Sequence, residues 1–149
     1  MKINGNYTLN VTPKNFWQMV MDPEVLEKVT PGIKELKEQS PDNYEAISEV
    51  KVGPVRGNFK GNLSIKDKVE EERCTLVVDQ KSKMGNVVAE IVMTLAPTGD
   101  SQTEVKYTGE AKMSGTLASM GQRIMSGVVS TLSKQFFKSM EAEIAERQA

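Results

Sequence analysis

Side chains able to do chemistry are sparse in this sequence, and the missing types say more than the ones present. Histidine is absent, which removes the commonest general base and the commonest zinc ligand. A Ser-His-Asp triad is therefore impossible. The one cysteine, Cys74, excludes an internal disulfide and any multi-cysteine metal or iron–sulfur site. With no histidine to activate it, Cys74 reads as a small core residue rather than a nucleophile. Glu70-Glu71-Glu72 reads as a solvated hairpin turn, and no loop spaces its carboxylates for calcium or magnesium. The glycines of Gly53-Pro54-Val55-Arg56-Gly57 precede no helix, so they make a poor phosphate cradle, and neither a P-loop nor a dinucleotide fingerprint occurs. What remains is tyrosine. A small cyclase or hydrolase built on Tyr107 and a confined substrate stays open as an alternative, but no residue is assigned as catalytic or as a metal ligand.

Composition narrows the classes further. The chain has 149 residues, with 19 basic and 20 acidic side chains and a net charge of -1. One domain spanning residues 1–149, with a sizeable core and no staples, is the expectation. No strongly basic stretch exists to track nucleic-acid phosphates. Met1 to Tyr7 alternates and lacks an apolar signal core. Met113 to Ser133 contains only Arg123 as a charge and approaches a membrane span in length. It also holds Gly115, Gly121 and Gly127 and is not apolar all round, so no transmembrane helix is expected. Cytoplasmic residence is the reading, with peripheral contact at the inner membrane face left open.

The elements that must position any site follow from periodicity. Ile3, Tyr7, Leu9 and Val11 alternate with polar residues, as in a strand with one buried face. Thr12-Pro13 opens a helix carrying Phe16, Trp17 and Val20. Asp22-Pro23-Glu24 opens a second, carrying Val25, Leu26 and Val29, and Thr30-Pro31-Gly32 ends it. Strands follow around Ile33–Lys37, Tyr44–Val52, Val55–Ile65, Cys74–Val78, Val87–Leu95 and Val105–Met113, with a turn at Ala96-Pro97-Thr98-Gly99-Asp100. From about Ser114 to Glu146 the period becomes helical. Leu117, Met120, Ile124 and Val128 form a stripe that rotates through Val129, Leu132, Phe136 and Met140. This order predicts an α+β, helix-grip fold: a curved antiparallel sheet of about seven strands wrapped on a long C-terminal helix, with two short helices after the first strand.

Small residues recur on the inward faces. Gly53, Gly57 and Gly61 stand four apart and point to one side of their strand, with Phe59, Leu63 and Ile65. Gly5, Ala46, Ala89, Gly109 and Ala111 also fall inward. Close backbone packing is one explanation; room for a guest is the other. A sealed, empty apolar void of ~300 Å³ would cost on the order of 7 kcal/mol, against ~5–15 kcal/mol of total stability in a typical domain. A space of that size is therefore expected to be smaller, open or occupied. Met84, Met93, Met113 and Met120 would give such a space adaptable walls. Tyr7, Tyr44, Ser48, Gln80 and Tyr107 are the polar groups facing inward. The expected ligand-contacting set is Tyr44, Phe59, Met84, Met93, Tyr107, Met113, Leu117, Met120, Ile124 and Val128, around an apolar, lipid-like small molecule. Arg123, amid apolar neighbours, is a solvated helix-edge residue or a contact for a headgroup or anionic lipid at the mouth. Phe137, off the main stripe, packs on Phe16 and Trp17 or is an exposed docking anchor for a partner.

Three segments, in order, resemble a known family. Asp22-Pro23-Glu24-Val25-Leu26 with Pro31-Gly32 is similar to the helix pair of the family formed by the G subunits of carbon monoxide dehydrogenase. So are Val52-Gly53-Pro54-Val55-Arg56-Gly57-Asn58-Phe59-Lys60-Gly61, then Leu117-Ala118-Ser119-Met120-Gly121-Gln122-Arg123-Ile124 and Gln135-Phe136-Phe137. The likeness runs from the first strand to the end of the last helix. It implies the START-like, polyketide-cyclase-like superfamily with its helix-grip fold. It further implies a non-enzymatic accessory role beside a molybdenum hydroxylase of the carbon monoxide dehydrogenase type, with quinone handling and membrane linkage. No metal or covalently bound cofactor is implied, only a quinone or lipid ligand. An assembly module with a filled core, using Phe137 and the rotated helix face, is the other non-enzymatic reading.

Overall fold

The first alternating stretch forms β1 (Lys2–Leu9), burying Ile3 and Leu9. Two short helices follow, α1 (Pro13–Val20) and α2 (Pro23–Val29). Each begins as its sequence dictates, with proline in the first turn. Thr12 Oγ1 accepts from the Asn15 N–H at 3.2 Å, and Asp22 Oδ1 accepts from the Glu24 N–H at 2.9 Å. The remaining strands are β2 (Ile33–Ser40), β3 (Asn43–Val52), β4 (Val55–Val69), β5 (Arg73–Ser82), β6 (Gly85–Gly99) and β7 (Gln102–Met113). Helices α3 (Gly115–Ser119) and α4 (Gln122–Gln148) close the chain. This is a computed structural model, and it describes residues 1–148.

The strands make one seven-stranded sheet in the order β1-β7-β6-β5-β4-β3-β2, antiparallel throughout. Consecutive strands need only hairpins, and β7 returns to pair with β1. Helix α4 lies against β1 at one edge and against β3 near the other. A flat sheet cannot offer both, so the sheet curls around the helix, using the twist inherent in β-strands. The fold is the expected helix grip.

Two expectations are corrected. The predicted turn at Ala96–Asp100 is mostly strand. β6 runs on to Gly99, pairing Pro97 with Thr103, and the chain reverses at Ser101, whose φ is 63°. β5 pairs with β6 only as far as Thr94, so Pro97 sits where one side of the strand is free and its missing N–H breaks no ladder. The terminal helix is also not continuous. Gly121 takes φ 89°, a left-handed conformation that an α-helix cannot contain, and it splits the predicted helix into α3 and α4.

Packing divides into a dense end and a looser end. The dense end joins α1, α2, the far half of α4 and one end of the sheet, around Phe16, Val20, Val29, Val105, Phe137 and Met140. Lys28 on α2 clamps it from outside. Its Nζ lies 3.0 Å from Glu143, which also receives Arg147 Nε at 3.2 Å. The hydrogen bond from Lys28, aided by Arg147, holds the Glu143 carboxyl below the usual carboxylate range despite its burial. The looser end lies under α3 and the start of α4, around Val55, Phe59, Leu117, Met125 and Val128.

Candidate functional site

Registers across the sheet fix what faces α4. One inner-face row runs Ala46–Gly61–Gln80–Val87–Met113, and the next runs Tyr44–Leu63–Val78–Ala89–Ala111. A cavity of about 260 Å³ opens between the helix and the β5, β6 and β7 members of these rows. Its sheet wall includes Val55, Phe59, Gln80, Val87, Ala111 and Met113. Its helix wall includes Leu117, Met125, Val128, Leu132 and Ser133. The cavity is partly open to solvent.

The two readings of the inner-face glycines both hold, at different positions. A Cβ on Gly61 would collide with the carbonyl oxygen of Asp79, and one on Gly109 with that of Glu90. Those glycines permit close backbone approach. A Cβ on Gly57, between the wall residues Val55 and Phe59, would meet no atom within 4 Å. Gly57 leaves room.

The wall residues carry one charge, the Met1 α-ammonium, which donates to the Ala111 carbonyl oxygen at 2.7 Å and is thereby engaged at the wall. No Asp, Glu, Lys or Arg lines it, and its polar side chains are the neutral Ser48, Gln80 and Ser133. Gln80 Oε1 is buried and has no hydrogen-bond partner within the protein. Cys74 is fully buried away from the cavity, and burial pushes its thiol up to about 11, leaving it unionised at neutral pH. Burial likewise raises the Tyr7 and Tyr44 phenols. Among the described residues, no group of three or more His, Cys, Asp or Glu side chains gathers as a metal site, and no helix is long and apolar enough to cross a membrane.

Of the residues singled out in the sequence, Phe59, Met113, Leu117 and Val128 stand at the cavity wall. Met84 and Met120 pack beside it, in the same apolar cluster, without reaching the wall; the Met84 sulfur accepts from the Arg56 N–H at 3.4 Å instead. Tyr44 and Met93 belong to the dense end and are almost fully buried there. Tyr107 borders a smaller neighbouring hollow of about 170 Å³, which shares Met1, Ile3, Val129 and Ser133 with the main cavity. Ile124 is corrected outright. It is 46% exposed near the start of α4, while Met125, three residues before Val128, takes the wall position. Arg123 is exposed on the same solvent side. Phe137 is corrected as a docking anchor: only 5% exposed, it stacks on Tyr7 at 4.2 Å and on Tyr107 at 5.8 Å, between ring centroids. Its direct aromatic partners are thus not Phe16 and Trp17, which share only its wider cluster. Sequence reasoning missed Met125 and Ser133 as wall residues. The signal for Met125 is its three-residue step to Val128, which fits one helix face as well as the four-residue step from Ile124 does.

The family model described as the G subunit of carbon monoxide dehydrogenase (CoxG) matches residues 5–145. The chain belongs to the CoxG family. A crystal structure of a conserved protein from Geobacillus kaustophilus is similar to this CoxG-family chain over 98% of its length and 96% of the other, at 32% identity and a TM-score of 0.95. A START superfamily protein from Mycobacterium smegmatis aligns over 97% of both chains at 12% identity, TM-score 0.78. The Zhui aromatase/cyclase from Streptomyces sp. R1128 covers all of the chain and 96% of its own, at 9% identity, TM-score 0.75. The latter two likenesses establish the START-like fold. No curated protein matches the chain in sequence. The aligned CoxG region takes in nearly every wall residue of the cavity, all but Met1 and Ile3.

Proposed function

We propose that this CoxG-family chain is a non-enzymatic carrier that holds an apolar, quinone- or lipid-like molecule between the sheet and α4. We propose further that it serves as an accessory to a molybdenum hydroxylase of the carbon monoxide dehydrogenase type. The observation that carries the reading is the cavity: about 260 Å³, walled mainly by aliphatic, methionine and phenylalanine side chains, with no charged side chain. Left sealed and empty, a hollow of that volume would cost on the order of 6 kcal/mol. A guest burying ~400 Å² of apolar surface would return roughly 10 kcal/mol before association costs, enough for micromolar retention. The non-enzymatic part rests on what the walls offer, since no ionisable side chain lines the cavity to move a proton or to activate the Ser48 or Ser133 hydroxyl. The family supplies the partner class. The site of action we propose is the cytoplasm, with transient contact at the inner membrane face.

Native mass spectrometry of gently purified protein, followed by organic extraction, should show a co-purifying quinone or lipid. A panel of both offered to the emptied protein should raise its melting temperature. No binding and no thermal shift across the panel would defeat the carrier reading. Failure to co-purify with, or stimulate, a molybdenum hydroxylase encoded beside it would defeat only the accessory role.

A further inference from the structure

We infer that the guest is an amphiphile with an oxygen-bearing head, and that the head lies in the hollow between the free edge of β1 and the serine face of α4. The inference rests on the carrier reading and narrows it to a ligand class.

Two elements build the hollow, which measures about 170 Å³. Ser126, Ser130 and Ser133 stand at steps of four and three residues, so they share one face of α4 over about 10 Å. Opposite runs β1, the terminal strand of the sheet. Met1 and Ala111 exchange both backbone bonds, at 2.7 and 2.8 Å. In an antiparallel ladder such pairs alternate, so the N–H and C=O of Lys2 and Asn4 point away from β7, toward the unpaired edge. Lys2 and Asn4 line the hollow with the three serines. Tyr107 lines it too, laid across Gly5, where an added Cβ would strike the phenol oxygen. The tyrosine hydroxyl is thereby carried from β7 to the edge strand.

The serine hydroxyls are reachable and uncommitted. Ser126 and Ser130 are exposed, and Ser133 is half-buried. Their neighbour Thr131 donates its hydroxyl to the Gly127 carbonyl at 3.0 Å, a bond that neither Ser130 nor Ser133 copies among the described residues. Ser126 reaches only the Met1 sulfur, at 3.7 Å.

This chemistry is the complement of the cavity next door. Apolar side chains dominate the larger space; hydroxyls, an amide and edge backbone groups dominate the smaller. The two meet at Met1, Ile3, Val129 and Ser133, which line both. Met1 is the adaptable member of that boundary, a half-buried, unbranched thioether. One molecule can therefore set an apolar body in the first and a polar end in the second, the usual way in which a largely apolar site fixes orientation. Charge selects the head. The residues lining the hollow carry the Lys2 and Met1 ammonium groups and no carboxylate. Glu110, opposite Lys2 in the ladder, does not line it. Hydroxyl and N–H donors beside positive charge suit hydroxyl, carbonyl or carboxylate oxygens. An ammonium head would meet like charge.

Four compounds on one body test this: 2-butylnaphthalene, 4-(2-naphthyl)butan-1-ol, 4-(2-naphthyl)butanoate and 4-(2-naphthyl)butylamine. A cavity of ~150 Å³ admits benzene, so the rings suit the main cavity of about 260 Å³, and the arm reaches the adjoining hollow. Binding is measured by calorimetry to the wild type, to the double variant Ser130→Ala, Ser133→Ala, and to Ser130→Leu, which fills the hollow. These positions lie toward solvent on a helix, so the variants keep the fold. A head forced against apolar walls would make the alcohol bind more weakly than the hydrocarbon. A head received by the hollow reverses that order. The wild type should bind the alcohol and the butanoate about threefold to tenfold more tightly than 2-butylnaphthalene, and the amine more weakly than either. The double variant should bring the alcohol and 2-butylnaphthalene within about twofold of each other. Ser130→Leu should weaken the alcohol and butanoate at least about tenfold, with naphthalene itself within about twofold of its wild-type affinity. Tightest binding by 2-butylnaphthalene or by the amine, or a preference for oxygen heads that survives in both variants, would overturn the head assignment and leave the carrier reading intact. Failure of every compound to bind, naphthalene included, would overturn both.

Discussion

Gly57 and Gly61 lie on the same face of β4, four residues apart, yet the structure gives them opposite surroundings. Leucine at each position therefore tests whether the chamber is real. At Gly57 a new side chain enters open space between Val55 and Phe59. Burying a leucine side chain is worth roughly 1.5–3 kcal/mol, and removing a glycine from the unfolded chain adds about 0.4–1 kcal/mol. Ordering the side chain takes back ~0.5–1 kcal/mol, and the hollow is partly open, so the net gain should be about 1–2 kcal/mol. For a chain near this length, about 2–4 °C accompanies each kcal/mol, so Gly57→Leu should melt roughly 2–8 °C higher than the wild type. At Gly61 the first added carbon already meets the Asp79 carbonyl oxygen, and the β4–β5 ladder must part to admit it. That change should lose about 1–3 kcal/mol or more. Calorimetric melting of both variants measures the contrast, and thermal shift with the quinone and lipid panel measures the ligand side, where Gly57→Leu should bind more weakly. If both variants lose stability equally, the space beside Gly57 is closed and the chamber argument fails. If Gly57→Leu is more stable and binds ligand undiminished, the guest lies elsewhere.

Three further outcomes are expected. Ile124→Asp should change stability by no more than ~0.5 kcal/mol, whereas Met125→Asp, which puts a carboxylate into the cavity wall, should lose at least about 3 kcal/mol in urea unfolding; the reverse order would contradict the inward placement of Met125. Phe137→Ala should lose about 3–5 kcal/mol, because its ring fills the space between Tyr7 and Tyr107; an unchanged melting temperature would return Phe137 to the surface. Glu143→Gln should melt below the wild type at neutral pH. The folded-state carboxyl lies below its ordinary value of 4.5, so its contribution is present above that pH and is lost as pH falls through the lower folded value. The gap between the two proteins should therefore close on acidification, and a gap that persists in acid would show that the Lys28 and Arg147 contacts do not stabilise α4.

The sheet was legible because a half-buried strand states its register in its own alternation. Val55, Phe59, Leu63 and Ile65 share one face in the sequence pattern and do so in β4. The helix starts at Thr12 and Asp22 were legible because a capping oxygen and a following proline are local signals. The break at Gly121 was not. A glycine amid helix-forming residues looks alike whether it is tolerated within the helix or turns left-handed, and only the packing of α3 beneath the sheet decides. Nor was the choice legible at the start of α4, where Met125 and not Ile124 faces inward while Val128 and Leu132 stay where the stripe put them. The run through Pro97 was hidden for a related reason: proline stops an interior strand, and nothing local reveals that β5 has already ended. The site was legible as an apolar face with inward glycines, but not as a set of wall residues. Tyr44 and Met93 also face inward, and their distance along the strands takes them to the dense end instead.

The division of the interior into two ends has a consequence for how such proteins diversify. Cohesion resides in the aromatic and aliphatic cluster clamped by Lys28 and Glu143, well away from the chamber. Substitutions at separated sites act nearly additively, so an apolar exchange in the chamber leaves the contribution of the clamped end intact and the molecule above its stability threshold. Cargo preference can then drift from one descendant to the next while the scaffold stands unaltered, which lets a single architecture serve unrelated guests.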